Sequence, residues 1–268
     1  MKNPFKNKTI WIVGASSGIG RALAENLSTQ GEHLILSSRN EEKLNEIKNS
    51  SSLPENIRIL PLDILRFNEL EEKTTQAFAL FGEIDYVFLN SGTSSRGTVL
   101  DTQMLVHRQI MDLNYFSYIT LTQHILPFFI KRKSGHFVIT SSVMGKIGTP
   151  LRSAYAAAKH ALHGYYDCLR AETAKYGIRI TLLTPGHVST DISLHTLMAD
   201  GSAKGVNDET HQKGLPACEA ARQILRVVAR NKNEAYIGKK LTQEHLSLYL
   251  FRFCPDLLHK IVRKKTPF

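Results

Sequence analysis

Cysteine pairs and long apolar runs are both missing from this 268-residue chain, and each absence excludes a class of protein. The three cysteines (Cys168, Cys218 and Cys254) are far apart and form no CxxC pair, which argues against a disulfide framework and a zinc knuckle. No segment reaches the roughly 18–20 apolar residues that a membrane-spanning helix needs, and the polar residues 1–8 do not begin a signal peptide. We therefore expect a cytoplasmic protein that contacts membranes peripherally at most.

A metal-ligand pattern is missing as well. The eleven histidines show no repeated spacing. His160 and His163 lie three residues apart and could share a helix face, but no carboxylate accompanies them. We interpret both as polar residues on the protein surface and predict no metal site.

The net charge of +10 belongs mainly to the end of the chain. Residues 222–268 hold eleven Lys and Arg against three Asp and Glu, which leaves a balance of only +2 for residues 1–221. A nucleic-acid-binding face would spread its basic residues over the body of the protein. We therefore exclude nucleic acid as a partner.

Apolar runs that favour strands alternate with segments of helical spacing along most of the chain. The predicted strands are Thr9–Val13, His33–Leu36, Ile57–Leu60, Ile84–Leu89, His136–Thr140 and Ile178–Leu183. The predicted helices are Gly18–Gln30, Glu41–Lys48, Asn68–Phe81, Thr102–Ile130 and Ser153–Tyr176. This alternation predicts a single-domain α/β fold of the Rossmann type, a doubly wound parallel sheet of about seven strands with helices on both faces.

Two segments depart from this alternation. Residues 189–214 are polar and have no period, which is typical of a lid over a site. Residues 241–268, which we separate from a domain spanning 1–240, alternate apolar clusters with basic residues. The apolar groups of this tail predict burial against the substrate cleft of a neighbouring subunit, or contact with a membrane surface. We favour the subunit contact because Pro255 interrupts any single amphipathic helix.

A glycine triplet, Gly14, Gly18 and Gly20, follows the first strand and opens the first helix. Glycines at this place permit a tight turn and let backbone amides approach a pyrophosphate at the helix N-terminus. A plain strand-to-helix turn would use the same residues, so the triplet alone is weak. Its place in a βαβ unit nevertheless favours a nucleotide site.

Arg39 stands at the end of the second strand, where dinucleotide-binding folds distinguish their two nicotinamide cofactors. An acidic residue there accepts from a ribose 2′-hydroxyl, whereas an arginine pairs with a 2′-phosphate. A solvated arginine beside Glu41 and Glu42 is the alternative. The presence of Arg39 and the absence of an acid favour NADP(H), with NAD(H) still possible.

Tyr155 and Lys159 lie four residues apart on a predicted helix and therefore share a face. A free tyrosine has a pKa near 10, and an ammonium group one turn away would lower that pKa by favouring the phenolate. Such a pair can donate a proton to a carbonyl. Tyr and Lys at this spacing are also common on ordinary helix surfaces.

Together with their order and spacing, these motifs show that the chain resembles the classical short-chain dehydrogenase/reductase family over roughly residues 8–240, and its hydroxysteroid-dehydrogenase-like branch in particular. The resemblance implies catalytic roles for four residues. Tyr155 is the expected general acid/base, and Lys159 is expected to lower the Tyr155 pKa and to hold the nicotinamide ribose. Ser142 is expected to bond the substrate oxygen, and Asn114 to support a water-mediated proton relay. It also implies a set of cofactor-binding residues. They are Gly14, Ser16, Ser17, Gly18, Ile19, Gly20, Arg39, Asp63, Ile64, Asn90, Ser91, Gly92, Tyr155, Lys159, Pro185, Gly186, Val188 and Thr190. Among them, the resemblance implies that Asp63 meets the adenine and that Val188 and Thr190 contact the nicotinamide.

Two positions depart from the family pattern. Val13 stands where the family usually has threonine, and Ser91 stands within the usual Asn-Asn-Ala-Gly segment. Val13 cannot make the hydroxyl bond that links these two segments, but the Ser91 hydroxyl lies nearby in sequence and could compensate. We expect an effect on local stability rather than loss of activity.

The resemblance implies an NADP(H)-preferring oxidoreductase that interconverts a carbonyl and a secondary alcohol. Residues 94–98, 143–151 and 189–214 would form a pocket for a small-molecule substrate. The small and apolar residues of the first two segments permit a lipophilic substrate. A non-catalytic dinucleotide-binding protein or a peripheral membrane interaction protein is the alternative.

We expect a homodimer or homotetramer, because the two long helices resemble the subunit interface of the family. Leu162, Tyr166, Leu169 and Thr173 would supply an apolar stripe for that interface, unless the stripe faces the sheet of its own subunit.

Overall fold

Seven parallel strands form the centre of the computed structural model, which describes residues 4–29, 31–206 and 213–264. These strands are β1 (Thr9–Val13), β2 (His33–Ser37), β3 (Ile57–Ile59), β4 (Tyr86–Leu89), β6 (Gly135–Thr140), β7 (Ile178–Pro185) and β11 (Glu234–Ile237). Two short parallel pairs lie apart from this sheet and join β5 (Ser95–Arg96) to β9 (Leu197–Met198) and β8 (Val188–Ser189) to β10 (Leu215–Pro216). The main sheet has the order β11-β7-β6-β4-β1-β2-β3. The predicted Rossmann-type parallel sheet is confirmed.

The helices follow the strands in the predicted alternation. They are α1 (Gly18–Leu27), α2 (Glu41–Ser50), α3 (Leu70–Phe81), α4 (Met104–Met111), α5 (Ser117–Arg132), α6 (Ser153–Thr173), α7 (Ala217–Ala229), α8 (Gln243–Phe253) and α9 (Pro255–Arg263). Four of the predicted helices correspond to α1, α2, α3 and α6, and their observed bounds differ from the predicted ones by a few residues. Gln30 lies outside the described residues. The helix predicted over Thr102–Ile130 extends from Met104 to Arg132 and contains a π-helical turn, Asp112–Phe116, which separates α4 from α5.

The central strands are mostly apolar and buried because helices cover both faces of the sheet. All five residues of β1 are buried. One side of the sheet packs around Trp11, whose indole Nε1 donates to Ser37 Oγ at 2.9 Å, and the other packs around Ile12. The predicted intersubunit stripe belongs to the first of these cores, since Leu162, Tyr166 and Leu169 are all buried in it. The stripe therefore faces the sheet of its own subunit, and the interface prediction for these residues is wrong.

The tail is two helices rather than one. Thr242 caps α8 by accepting from the His245 amide, and the chain turns at Cys254 before Pro255 starts α9. Leu258 of α9 is buried against Val143 and Ile147 of the same chain. The prediction that the apolar tail residues must leave their own subunit is thus wrong for this contact, and Lys265 lies outside the described residues.

Candidate active site

The predicted site residues meet at one edge of the sheet. In a parallel sheet all strands end at the same edge, and ligands of such folds bind there where the strand order reverses. The order β4-β1-β2 makes β1 and β4 that switch point. The loops after β1, β2, β3, β4, β6 and β7 carry the predicted residues. In order they are Gly14–Gly20, Arg39, Asp63 and Ile64, Asn90–Gly92, Ser142, and Pro185–Thr190.

The glycine-rich turn is sterically closed to side chains. Gly14 has φ +86°, and a Cβ there would lie 2.7 Å from the Ser91 amide nitrogen. A Cβ on Gly20 would lie 2.0 Å from the Gly14 carbonyl oxygen. Ser17 precedes α1 without making a side-chain cap, so no Ser17 hydroxyl occupies the first amides of that helix. These features fit a cradle for an anionic phosphate group.

The two departures from the family pattern meet in this turn. The Val13 carbonyl accepts from the Asn90 amide at 3.0 Å, which links β1 to the loop after β4 through the backbone. Ser91 packs its hydroxyl against Gly14, and the Ser91 carbonyl accepts from Tyr118 Oη at 2.5 Å. The link between the two segments thus survives without a threonine at position 13.

The adenosine end of the predicted site is more open. Arg39 is exposed at the end of β2, next to the buried Ser38. Asp63 accepts from the Leu65 amide at 3.1 Å, and Ile64 is buried beside it. The Leu62 amide donates to the Ser38 carbonyl at 3.0 Å, which holds the Asp63 loop beside the end of β2.

Ser142, Tyr155 and Lys159 converge at the other end of the site. The Ser142 and Tyr155 side chains line one cavity, and Ser142 is close enough to lower the pKa of Tyr155. Lys159 Nζ donates to the Thr140 carbonyl at 2.9 Å and lies 5.9 Å from the centre of the Tyr155 ring. The three side chains that the sequence singled out are therefore neighbours.

The electrostatics of this cluster differ from the expectation. Burial raises the pKa of Tyr155, with Ser142 and the Arg152 guanidinium opposing the rise. Burial also lowers the pKa of Lys159 to about 7. The predicted lowering of the Tyr155 pKa by Lys159 is thus not what the structure shows, because desolvation of both groups dominates. The cation that acts on Tyr155 is Arg152, which sequence reasoning overlooked.

Asn114 lies in the π-helical turn and is fully buried. Its amide Nδ2 donates to the Thr93 carbonyl at 2.9 Å, and its Oδ1 accepts from the Thr93 amide at 3.2 Å. The side chain therefore fixes the loop that contains Gly92. Interruptions of this kind in helices are frequent at functional sites.

His163 contradicts the interpretation of the two histidines as surface residues. His160 is exposed, but His163 is buried and its Nε2 lies 3.0 Å from Ser141 Oγ. Burial lowers the pKa of His163 to about 4, so the imidazole is neutral at physiological pH. His163 thus supports the segment that carries Ser142. In the described ranges, no group of three metal-ligating side chains occurs.

The cavity beside Tyr155 has a volume of about 670 Å³. The expected segments contribute Ser94, Arg96, Val143, Met144, Ile147, Thr149, Pro150, Leu151, Thr190 and Ile192. Residues 207–212 of the predicted lid lie outside the described residues. Sequence reasoning missed a substantial part of its wall, which comes from the tail of the same chain. The tail residues are Gln243, Glu244, Leu246, Ser247, Leu250, Leu258, Ile261 and Val262. Within each of the two tail helices, a spacing of three and four residues places the lining residues on one face of that helix.

The loop after β7 closes the cofactor side of the cavity. Val188 is buried, and a Cβ on Gly18 would lie 3.0 Å from Thr190 Cγ2, so this loop packs on the glycine-rich turn. The His187 Nδ1 bonds Glu244 Oε1 at the start of α8. The tail and the loop predicted to hold the nicotinamide are therefore directly connected.

Comparison with known proteins agrees with the fold and the motifs. The family model for short chain dehydrogenase matches residues 8–198. Dehydrogenase/reductase SDR family member 7B of Xenopus laevis is 38% identical over 262 residues, which cover 95% of this chain and 80% of the relative. The Drosophila melanogaster protein dehydrogenase/reductase SDR family protein 7-like is 34% identical over 272 residues, 99% of this chain and 82% of that protein.

Solved structures share the fold at lower identity. A short-chain dehydrogenase from Streptomyces avermitilis matches with a TM-score of 0.81 and 24% identity, covering 97% of this chain and 98% of that one. A short chain dehydrogenase/reductase from Burkholderia phymatum in complex with NAD matches with a TM-score of 0.81 and 20% identity, covering 100% and 99% of the two chains. A short chain dehydrogenase from Burkholderia cenocepacia in complex with NADP gives 0.80 and 19%, covering 98% and 99%.

The parallel sheet and its glycine-rich turn place the chain in the Rossmann-type α/β class. The matched family model and the relatives are more specific. The chain belongs to the short-chain dehydrogenase/reductase family of oxidoreductases.

Proposed function

We propose that this protein is an NADP(H)-preferring oxidoreductase that interconverts a carbonyl and a secondary alcohol, with Tyr155 as general acid/base. The observation that carries the proposal is that the Ser142 and Tyr155 side chains line the same large cavity, close enough for Ser142 to lower the pKa of Tyr155, with Lys159 one turn further along α6. Two hydroxyl groups that meet in an apolar cavity can both bond one carbonyl oxygen.

The residues present fit a nicotinamide dinucleotide. Gly14, Gly18 and Gly20 form a tight turn of the kind that binds a pyrophosphate, and the Pro185–Thr190 loop, the Asp63–Ile64 loop and Asn90–Gly92 lie at the same edge of the sheet. Two of the solved neighbours were crystallised with NAD or NADP. When bound, the dinucleotide supplies the hydride for carbonyl reduction.

The protein supplies position and a proton. Tyr155 donates its phenolic proton to the oxygen of the reduced carbonyl, and Ser142 holds that oxygen by a second hydrogen bond. Lys159, whose pKa burial lowers to about 7, exchanges protons near neutral pH and lies beside the Tyr155 ring. Asn114 holds the Gly92–Thr93 loop against this cluster. We assign Lys159 a second role on the nicotinamide ribose, as the family resemblance implies.

The preference for NADP(H) rests on Arg39. Its side chain is exposed at the end of β2, beside the loop after β3, and no acidic residue stands at this strand end to accept from a 2′-hydroxyl. A guanidinium there favours the 2′-phosphate through charge-assisted hydrogen bonds. Preference for the phosphorylated cofactor favours carbonyl reduction as the cellular direction.

The alternative hypothesis is a non-catalytic dinucleotide-binding protein. Such a protein has no need to keep Ser142 and Tyr155 on the wall of one cavity with Lys159 beside the Tyr155 ring. The discriminating experiment is a cofactor titration followed by a panel of aliphatic, steroid and aromatic ketones with NADPH and NADH. Turnover of any ketone, with tighter binding of NADPH, supports the proposal. Tight cofactor binding with no turnover across the panel favours the non-catalytic reading.

We further propose peripheral membrane contact through the 241–268 extension. Tyr249, Phe253 and Leu257 are 50–69% exposed on α8 and α9, and Arg252 and Lys260 lie among them. Within the described residues no helix is both long enough and apolar enough to cross a bilayer. Exposed apolar groups with adjacent cations suit an anionic lipid surface. Co-sedimentation with anionic but not with zwitterionic vesicles tests this, and no sedimentation with either would refute it.

A further inference from the structure

Tyr118 is the second residue of α5 and plays no part in the reaction proposed above. Its side chain is only 2% exposed and packs in the core on the Trp11 side of the sheet. The Tyr118 hydroxyl donates to the Ser91 carbonyl at 2.5 Å. A buried tyrosine hydroxyl usually finds such a partner, but this partner belongs to the loop after β4 that the family resemblance assigns to the cofactor. Tyr118 therefore connects α5 to the proposed dinucleotide site.

The loop that Tyr118 bonds lies between the glycine-rich turn and Lys159. A Cβ on Gly14 would lie 2.7 Å from both the amide nitrogen and the hydroxyl oxygen of Ser91, so Ser91 packs against that turn. A Cβ on Gly92 would lie 3.7 Å from Lys159 Nζ. The bond to the Ser91 carbonyl therefore fixes this loop relative to two parts of the proposed site, the turn for the pyrophosphate and the lysine.

The ring of Tyr118 makes a second contact, with Lys159 itself. Lys159 Nζ lies 5.5 Å from the centre of the Tyr118 ring and 5.9 Å from the centre of the Tyr155 ring. An ammonium within about 6 Å of an aromatic face is attracted by the negative charge of that face. Burial acts in the opposite direction and lowers the pKa of Lys159 to about 7. The two rings therefore favour the charged form of a lysine that burial disfavours.

The hydroxyl of Tyr118 keeps its proton while its neighbours titrate. Burial and, to a smaller extent, Tyr155 raise the pKa of Tyr118 well above its ordinary value, so the hydroxyl donates to Ser91 throughout the neutral range. Within the described residues, Tyr118 and Tyr155 are the titratable side chains whose contacts place them against Lys159 Nζ. His163, one turn further along α6, has a pKa of about 4 and is neutral there. A change of protonation near pH 7 therefore reports on Lys159.

We propose that Tyr118 is a positioning residue with two separable functions: its hydroxyl holds the Ser91 loop in place for the dinucleotide, and its ring stabilises the Lys159 ammonium. The proposal rests on the oxidoreductase function proposed above and adds a residue that serves it. The functions are separable because the hydroxyl and the ring face contact different groups. Sequence patterns give no sign of either function, since Tyr118 has the helical spacing of an ordinary core residue.

Tyr118→Phe tests the hydroxyl, because it removes the donor to Ser91 and keeps the ring. We expect the Kd values for NADPH and NADH to rise together by about three- to tenfold, the change for one neutral hydrogen bond. A parallel rise distinguishes this effect from that of Arg39, which concerns NADPH alone. The control is Tyr86→Phe at the first residue of β4, on the opposite edge of the sheet, which should leave both Kd values unchanged. Fluorescence titration measures all of them.

Fluorination tests the ring. Phenylalanine carrying one, two or three ring fluorines, incorporated at position 118 of the full chain, keeps the shape of the ring but withdraws negative charge from its face. The Lys159 pKa is read by NMR of ¹³C-labelled lysine, and its signal is assigned by its absence from Lys159→Arg. We expect Tyr118→Phe to keep the wild-type Lys159 pKa. Each added fluorine should lower that pKa, by at least about half a unit over the series.

Neither measurement needs turnover, so both test Tyr118 even when no ketone is reduced. Dinucleotide Kd values that Tyr118→Phe leaves unchanged would overturn the function of the hydroxyl. A Lys159 pKa that stays constant across the fluorinated series would overturn the function of the ring. Both of these results together with reduction of a ketone would leave the oxidoreductase function intact and remove Tyr118 from it. Circular dichroism at the temperature of the titrations ensures that folded proteins are compared.

Discussion

His187 of the loop after β7 bonds Glu244 in the first turn of α8. This pair connects the predicted nicotinamide loop to the tail, whose residues line the cavity. Neighbouring contacts strengthen the junction. The Tyr236 ring stacks on His245 with ring centres 4.8 Å apart, and its hydroxyl lies 3.2 Å from Thr242 Oγ1. The tail is therefore part of the site.

Removal of the Glu244 carboxylate is expected to loosen the tail. Although burial opposes it, hydrogen bonds from the α8 backbone, Thr242 and His187 lower the pKa of Glu244. Because the Glu244 pKa is lower in the docked tail than in the unfolded chain, where it is about 4.3, the ionised carboxylate stabilises docking at pH values above about 4.3. This stabilisation is lost as the pH falls from there towards the lowered pKa of the docked state. Glu244→Ala is expected to speed tryptic cleavage of the tail and raise KM for apolar ketones. The control is Glu219→Ala on α7, and equal cleavage of both variants would count against the docking role.

Arg39 is expected to decide the choice of cofactor. Arg39→Ala should weaken NADPH binding by about 1.5–3 kcal/mol, the increment of a hydrogen bond to a charged group, and leave NADH binding nearly unchanged. Fluorescence titration with both cofactors measures the difference, and Arg58→Ala is a control on the neighbouring strand. If the unmodified protein bound both cofactors equally, our interpretation of Arg39 would be wrong.

Two buried histidines predict a loss of stability in mild acid. Burial lowers the pKa values of His136 and His163 to about 4, against about 6.5 in an unfolded chain. Between these pH values the unfolded state binds more protons, so the free energy of unfolding rises with pH over the window from about 4 to 6.5. Urea unfolding across this range measures the slope. His136→Asn should reduce the slope, whereas the exposed His160→Asn should not.

The exposed face of α6 remains our candidate for the subunit interface. Gly164 is exposed on that face, and a Cβ there would meet nothing within 4 Å. Gly164→Arg therefore fits the folded subunit but would obstruct a close helix–helix contact. We predict a dimer or tetramer for the wild type by light scattering and a smaller species for the variant. A monomeric wild type at micromolar concentration would refute this prediction.

The sequence predicted the sheet and the Tyr155–Lys159 pair because both depend on local patterns. Because parallel strands end at the same edge of a sheet, the strand endings place Gly14, Asn90 and Ser142 at that edge independently of their tertiary contacts. Tyr155 and Lys159 share a helix face because residues four apart do so on any helix. The strand Glu234–Ile237, by contrast, is short and only its end is buried, so its apolar pattern was too weak to assign.

Contacts between distant segments were beyond the sequence patterns. The burial of Leu258 against Val143 and the pairing of Glu244 with His187 join parts of the chain that share no periodicity. The same holds for the effect of Arg152 on Tyr155, which depends on how β5 meets α6. Desolvation is a property of the folded state, which is why the shifts in the Tyr155 and Lys159 pKa values went in directions that spacing could not predict.

The central claim is that Tyr155 supplies the proton for carbonyl reduction, and one substitution tests it most directly. Tyr155→Phe keeps the ring and its packing but removes the phenolic hydroxyl. On a ketone that the wild type reduces, NADPH turnover of this variant should fall by at least about a hundredfold, the usual contribution of a general acid. NADPH binding by titration should stay near the wild-type value. Near-normal turnover by Tyr155→Phe would contradict the account.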